Sequence, residues 1–167
     1  DALREASLPA VDGVFIGGTG NLVQGNSIFN NIGLGIDLAP DGVTPNDLGD
    51  GDAGANGLQN FPVIDTATLS GGPPFTMNIN GRLNSTPNTA FDLDFYASVA
   101  ADPSGYGEGT RYLGTAAVVT DGTGNVTFNV ALAAASSVGE WITAVAVDPA
   151  GNTSEFSFAI QSVPPIT

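Results

Sequence analysis

The sequence predicts an all-β protein: an immunoglobulin-like antiparallel β-sandwich over residues 61–167, preceded over residues 1–60 by a short parallel β-helix-like coil segment with an acidic Asp/Asn/Gly loop. Three observations carry this expectation. The 167 residues include 23 Gly and 11 Pro, so the runs between chain breakers have the length of strands and not of helices. Beyond residue 60, apolar residues recur at a period of two, the spacing of a half-buried strand. Before residue 60, apolar groups of two or three residues are each followed closely by Gly or Asn, which suits short strands joined by tight corners.

The elements follow in chain order. Val14-Phe15-Ile16, Leu22-Val23, Ile28-Phe29 and Ile36-Asp37-Leu38 supply one coil or slightly more, with Asn21, Asn26, Asn30 and Asn31 at its corners. A solenoid needs about three stacked repeats before it buries a continuous core. This segment is therefore expected to lie against the sandwich or against another copy of itself. Strands are then expected at 61–69 and 76–84, and around Phe91, Leu93, Phe95 and Ala97, which face one way while Asp92, Asp94 and Tyr96 face the other. Further strands are expected at 111–119, around Val126, Phe128, Val130 and Leu132, and at 139–148 and 153–162. Gly-Gly-Pro-Pro at 71–74, Asp-Gly-Thr-Gly at 121–124 and Asp-Pro-Ala-Gly at 148–151 punctuate them. About seven strands in roughly 100 residues is what an immunoglobulin-like sandwich requires. The strand at 139–148 is apolar on both faces, with Trp141, Val145 and Val147 on one and Ile142, Ala144 and Ala146 on the other. Such a strand is buried twice, beneath the chain's own N-terminal segment or beneath a neighbour.

Charge and composition exclude whole classes of function. Seventeen acids face three arginines, Arg4, Arg82 and Arg111, with no lysine, for a formal charge of −14 and a pI near 4.1. Nucleic acid is excluded as a partner, since displacing phosphate counterions takes Lys and Arg. Anionic membrane surfaces are disfavoured on the same ground. No stretch of about 18 apolar residues exists, so no membrane insertion is expected. Cysteine and histidine are absent. Thiolate and Schiff-base chemistry and the usual general base go with them, and the expectation is that the chain is not an enzyme. Carboxylates, amides and backbone carbonyls remain, and these are the ligands hard cations such as Ca2+ take.

The densest such cluster is Asn46, Asp47, Asp50, Asp52 and Asn56, where three acids crowd into six residues between glycines that supply tight turns. Its spacing is not that of an EF-hand, yet it gathers oxygens as a Ca2+ loop does, and like charges so close need a cation or full solvation. Asp37 and Asp41 add ligands by chain proximity. The pairs Asp102 with Glu108 beside Tyr106, and Asp148 with Glu155 around Asn152, are read as ordinary Asx and Pro-Gly turns. An acid-pair hydrolase would need two carboxylates about 5–10 Å apart across a sugar cleft, which a count of acids alone does not supply. Trp141, Tyr96, Tyr106 and Tyr112 are the candidates for a carbohydrate-stacking platform; the competing reading is that Trp141 packs inside the sandwich. Asn84-Ser85-Thr86, Asn125-Val126-Thr127 and Asn152-Thr153-Ser154 match the glycosylation acceptor pattern.

The run from Gly25 to Leu38, Gly-Asn-Ser-Ile-Phe-Asn-Asn-Ile-Gly-Leu-Gly-Ile-Asp-Leu, resembles the C-terminal end of secreted bacterial proteins built of right-handed parallel β-helix repeats. So do Pro40-Asp41-Gly42-Val43-Thr44-Pro45-Asn46-Asp47 and Leu58-Gln59-Asn60-Phe61-Pro62-Val63. Downstream, Asp102-Pro103-Ser104-Gly105-Tyr106-Gly107-Glu108-Gly109 and Asp148-Pro149-Ala150-Gly151-Asn152-Thr153-Ser154-Glu155-Phe156-Ser157 are similar to the immunoglobulin-like module that follows the helix in those proteins. Leu3-Arg4-Glu5-Ala6 is similar to a tag that opens the β-helix in some of them. The resemblance implies an extracellular or cell-surface location. An incomplete coil implies an open strand edge, so a structural or adhesive protein that assembles with copies of itself is expected. Residues 1–30 would complete a neighbour's sheet, with Val14, Phe15, Ile16, Leu22, Val23, Ile28 and Phe29 at the contact. The alternative is a carbohydrate-binding module at the C-terminus of a larger secreted β-helix protein.

Overall fold

In the computed structural model, which describes residues 12–72, 75–133 and 137–164, the alternating runs fold as strands. Two short strands come from the N-terminal part, β1 (Val14–Ile16) and β2 (Ile36–Leu38). A 3-10 turn over Ala55–Leu58 leads to seven more: β3 (Val63–Ser70), β4 (Thr76–Asn84), β5 (Ala90–Ser98), β6 (Arg111–Val119), β7 (Asn125–Ala133), β8 (Trp141–Val147) and β9 (Ile160–Gln161). β3, β4 and β7 form one antiparallel sheet in that order, and β6, β5, β8 and β9 form a second. The chain changes sheet between β4 and β5, between β6 and β7, and between β7 and β8. The protein is an all-β sandwich.

Its core follows from the pleat. Alternate residues of β4 (Met77, Ile79, Leu83) and of β5 (Phe91, Leu93, Phe95) point between the sheets and are wholly or nearly wholly buried, with Leu69, Ile142, Ala144 and Ala146. Phe95 and Phe128 meet edge to face with ring centroids 5.7 Å apart. Each of the large side chains, Leu, Ile, Met or Phe, contributes roughly 1.5–3 kcal/mol by leaving water.

The four-stranded sheet is covered on its outer face too. A second cluster joins Ile16, Ile28, Ile36, Leu38 and Ala55 to Tyr96, Val145 and Phe156. The twice-buried strand β8 is therefore covered by the chain's own N-terminal segment: Ile142, Ala144 and Ala146 face the sandwich core and Val145 the second cluster. Two glycines permit the approach. A Cβ on Gly35 would lie 2.9 Å from the Phe156 ring, and one on Gly109 2.7 Å from that of Tyr96. The covering layer also reaches the second face of β5: Tyr96 lies in the second cluster, opposite the face of Phe91, Leu93 and Phe95, and Asp94 and Tyr96 are both buried. Gly25 N–H donates to Tyr96 Oη at 3.0 Å, and Gln24 Nε2 reaches Asp94 Oδ1.

Of the expected coil, the structure carries a two-stranded parallel sheet, with Val14 opposite Ile36 and Ile16 opposite Leu38. The strand expected over 153–162 shortens to β9 for a local reason. Ala146 N–H donates to Ser154 Oγ at 2.9 Å and Ala144 N–H to Ser157 Oγ at 3.0 Å, so two hydroxyls take the place of ladder carbonyls. The chain runs beside β8 without a continuous ladder until Ile160. Leu3-Arg4-Glu5-Ala6 and the rest of residues 1–11 lie outside the described residues.

Candidate functional site

The acidic loop is built by amide side chains that hold backbone. Asn46 clamps Phe61 in both directions: Asn46 Nδ2 donates to Phe61 O at 2.8 Å, and Phe61 N–H donates to Asn46 Oδ1 at 2.9 Å. Asn60, buried, accepts from Asp47 N–H at 3.0 Å and donates to Asp47 O and Asn84 O. These bonds, with left-handed backbone at Gly49 and Asp50, fold the loop back on itself. One carboxylate oxygen each from Asp47, Asp50 and Asp52 then lies within 4.8 Å of the others. At that separation each like-charged pair costs between roughly 1 kcal/mol in water and roughly 3 kcal/mol at an effective dielectric of ~20.

The three acids differ in what they have left to offer. Asp50 accepts from Asn60 N–H at 3.0 Å and from Ser85 Oγ at 2.6 Å, and burial pushes its carboxyl above the ordinary range. Asp52, on the exposed side, is also raised, by partial burial and by Asp47. Asp47 accepts Gly51 N–H on Oδ2 at 3.2 Å, while its Oδ1 is buried with no donor. An oxygen stripped of water and given no donor is what a cation would satisfy. Asn46 and Asn56 are occupied otherwise. Asn56 is buried, accepts from Asn21 N–H and Nδ2, and donates to Asn21 O and Thr153 O at 2.8 and 2.9 Å. The donor set that the structure brings together is Asp47, Asp50 and Asp52.

In a second triad, Asp12, Asp37 and Asp41, one carboxylate oxygen from each also lies within 4.8 Å of the others. Asp37 is wholly buried at the middle of β2; Oδ2 accepts from Gly42 N–H at 3.1 Å and Oδ1 has no donor. Burial, opposed by that bond and reinforced by Asp12 and Asp41, raises its carboxyl to about 6. Asp37 and Asp41, expected to add ligands to the 46–56 loop, gather instead in this separate triad with Asp12, which carries no signal in the sequence, because the parallel pairing of β1 and β2 is what delivers it.

Glu108 and Glu155, read as turn residues, fasten the N-terminal layer instead. Glu155 is 2% exposed, and its two oxygens accept from Leu38 N–H at 3.1 Å and Thr44 N–H at 2.9 Å. Burial raises it to about 7, against these two bonds. Glu108 accepts from Asn30 N–H, Asn31 N–H and Asn31 Nδ2 at 2.7–2.9 Å. Asp102 and Asp148 do cap their own turns, at Ser104 and at Ala150 and Asn152.

The residues expected at a self-contact divide by face. Ile16 and Ile28 are buried in the second cluster, with Val14 and Val23 packed at its margin. Phe15, Leu22 and Phe29 stay 57%, 58% and 48% exposed, joined by Ile32 at 70%, which the pattern of apolar groups did not single out. β1 pairs with β2 alone among the described strands. The aromatic candidates form no row. Tyr96 is buried edge-on to Tyr112 and Phe156, Tyr106 is half-buried between Phe61 and Phe158, Trp141 is half-buried at the start of β8, and Tyr112 is exposed. A groove of about 740 Å³ beside the acidic loop is lined by Leu48, Val63, Arg82, Asn84, Asp121 and Asn125, among others, and by no aromatic ring.

Compared with known proteins, the chain matches no family model and no curated sequence.

Proposed function

We propose that this chain is a non-catalytic structural or adhesive protein of the cell surface or extracellular space, which associates with copies of itself through its N-terminal β segment into a Ca2+-stabilised filament. The observation that carries the reading is β1, a Val-Phe-Ile strand with one partner among the described residues and with Phe15 57% exposed at its centre. Monomeric proteins blunt such edges with charge, proline or a bulge, and β1 carries none of these. A strand from a second copy laid along β1 would continue the ladder and cover Phe15, the mode of β-augmentation. If the donated surface differs from the accepting one, the contact repeats and propagates. Each copy carries a formal charge of −14, so association is opposed by repulsion unless cations screen it. Asp47, Asp50 and Asp52, with the donor-less Asp47 Oδ1, support a Ca2+ ion in the loop. The extracellular placement rests on the resemblance to secreted bacterial β-helix proteins.

Size-exclusion light scattering with electron microscopy, in millimolar Ca2+ and again in EDTA, tests the reading. Ordered oligomers or filaments are expected with Ca2+, fewer in EDTA, and none for Phe15→Asp, which changes only an exposed side chain. A strict monomer under both conditions overturns it and leaves the carbohydrate-binding module as the surviving alternative.

A further inference from the structure

We propose that Asp12, Asp37 and Asp41 form a second Ca2+ site, which staples the entry of β1 to the turn that follows β2. The three residues reach one point from three stretches of chain: Asp12 just ahead of β1, Asp37 within β2, and Asp41 just beyond it. Two are held in place by backbone donors. Leu34 N–H donates to Asp12 Oδ1 at 3.0 Å and Gly42 N–H to Asp37 Oδ2 at 3.1 Å, so each carboxylate is oriented while keeping an oxygen uncommitted. On Asp37 that oxygen is Oδ1, in a side chain wholly removed from solvent, with no donor of any kind. A buried acceptor in this position is costly unless something positive meets it.

Among the described residues no such charge lies nearby. Of the described arginines, Arg82 pairs with Asp65 and Arg111 with Glu140, while the remaining charged neighbour of Asp37 is another acid, Glu155. Three carboxylates, two of them with oriented backbone donors behind them, suit a hard, oxygen-seeking cation, and Ca2+ tolerates the irregular geometry of ligands drawn from a strand and the segments flanking it. The site is separate in sequence and in ligands from the loop at Asp47, Asp50 and Asp52, and it does not depend on the assembly reading.

The test is a calorimetric titration of the EDTA-stripped whole chain with CaCl2, paired with amide exchange of β1 and β2. Asp12→Asn/Asp41→Asn removes two ligands that are not buried, so the fold is retained; Asp47→Asn/Asp52→Asn removes the loop site. Ca2+ is expected to slow exchange across β1 and β2 by about tenfold or more in the wild type and in the loop variant, and Asp12→Asn/Asp41→Asn is expected to abolish that protection and weaken the site about tenfold or more, because Ca2+ affinity follows the number of charged ligands. The proposal is overturned if Ca2+ leaves β1 and β2 unprotected in the wild type, or protects them equally in Asp12→Asn/Asp41→Asn. Failure of the loop site has a different signature, an unchanged Ca2+ count in Asp47→Asn/Asp52→Asn.

Discussion

Between its two sheets the sandwich is held by side chains without a polar atom, Leu69, Met77, Ile79, Leu93 and Phe95 among them, whereas residues 12–60 are fastened to the outer face of the same sheet largely by amides and carboxylates. The difference follows from how the backbone is satisfied. In the sandwich, long strands pair their own N–H and C=O groups, so side chains are free to be apolar. The N-terminal layer has two three-residue strands, so its backbone groups must find partners elsewhere. Glu108 takes two N–H groups, Glu155 takes two, and Asn56 bonds both N–H and C=O of Asn21. A layer of this kind is stable only on a surface that carries those partners, which makes it an accessory of the sandwich and not an independent unit.

The largest effect is expected from Phe95→Ala, in the core beneath the sheet that both layers share. Loss of this core ring is expected to cost about 3–5 kcal/mol and to melt both layers together in a denaturant titration followed at Leu38 and at β4 amides. Survival of protection at Leu38 after β4 has opened would show that the N-terminal layer stands alone.

A pH series in EDTA comes next. Glu155 is raised to about 7 and Asp37 to about 6, both above their ordinary values, so each favours the fold when protonated. Their contribution is complete below about pH 4, and is lost as pH rises through 6 and 7; for Glu155 alone it is on the order of 3 kcal/mol. Urea midpoints should fall from pH 5 to pH 8, and Glu155→Gln should flatten that fall; a midpoint that rises over the interval contradicts the assignment.

Asn56→Ala is expected to cost about 1–3 kcal/mol, because it strands the buried C=O of Thr153 and removes the partner that holds the N–H and C=O of Asn21. Exchange should quicken along 18–23 while β4 and β5 stay protected; an unchanged profile would mean water replaces the amide. The smallest effect should come from Arg82→Ala on the sandwich surface. Its ion pair with Asp65 is half-exposed, and its removal should shift stability by less than about 1 kcal/mol in thermal melts.

The same division explains which parts of the molecule were legible. Periodicity placed β4 and β6 at their full lengths, because each has one face toward a core and the pleat writes that directly into the chain. It sets Asp94 and Tyr96 on the face opposite Phe95 and says nothing of their burial, since alternation shows that two faces differ and not that a third layer covers the polar one. Ser154 and Ser157 read as strand residues, and nothing local told that their hydroxyls would displace the ladder. In the acidic loop the crowding of Asp47, Asp50 and Asp52 was visible as spacing, while Asn46 and Asn56 looked the same as ligands and serve as clamps. Asp12 and the grips of Glu108 and Glu155 are long-range, and only the register of β1 on β2 and the path over β8 create them.

The two described arginines lie within paired strands. Arg82 sits in β4, flanked by β3 and β7, and Arg111 opens β6, where Nη2 contacts both oxygens of Glu140 at 2.8 and 2.9 Å. The sequence has no lysine, and its third arginine, Arg4, lies outside the described residues. A protease that cuts after basic residues must thread an extended, unpaired segment through its cleft, so between residues 12 and 164 it finds a substrate only when a strand leaves its sheet. Nicking by such an enzyme within residues 12–164 would therefore clock the opening of the sandwich, leaving the loops of that span, however exposed, untouched.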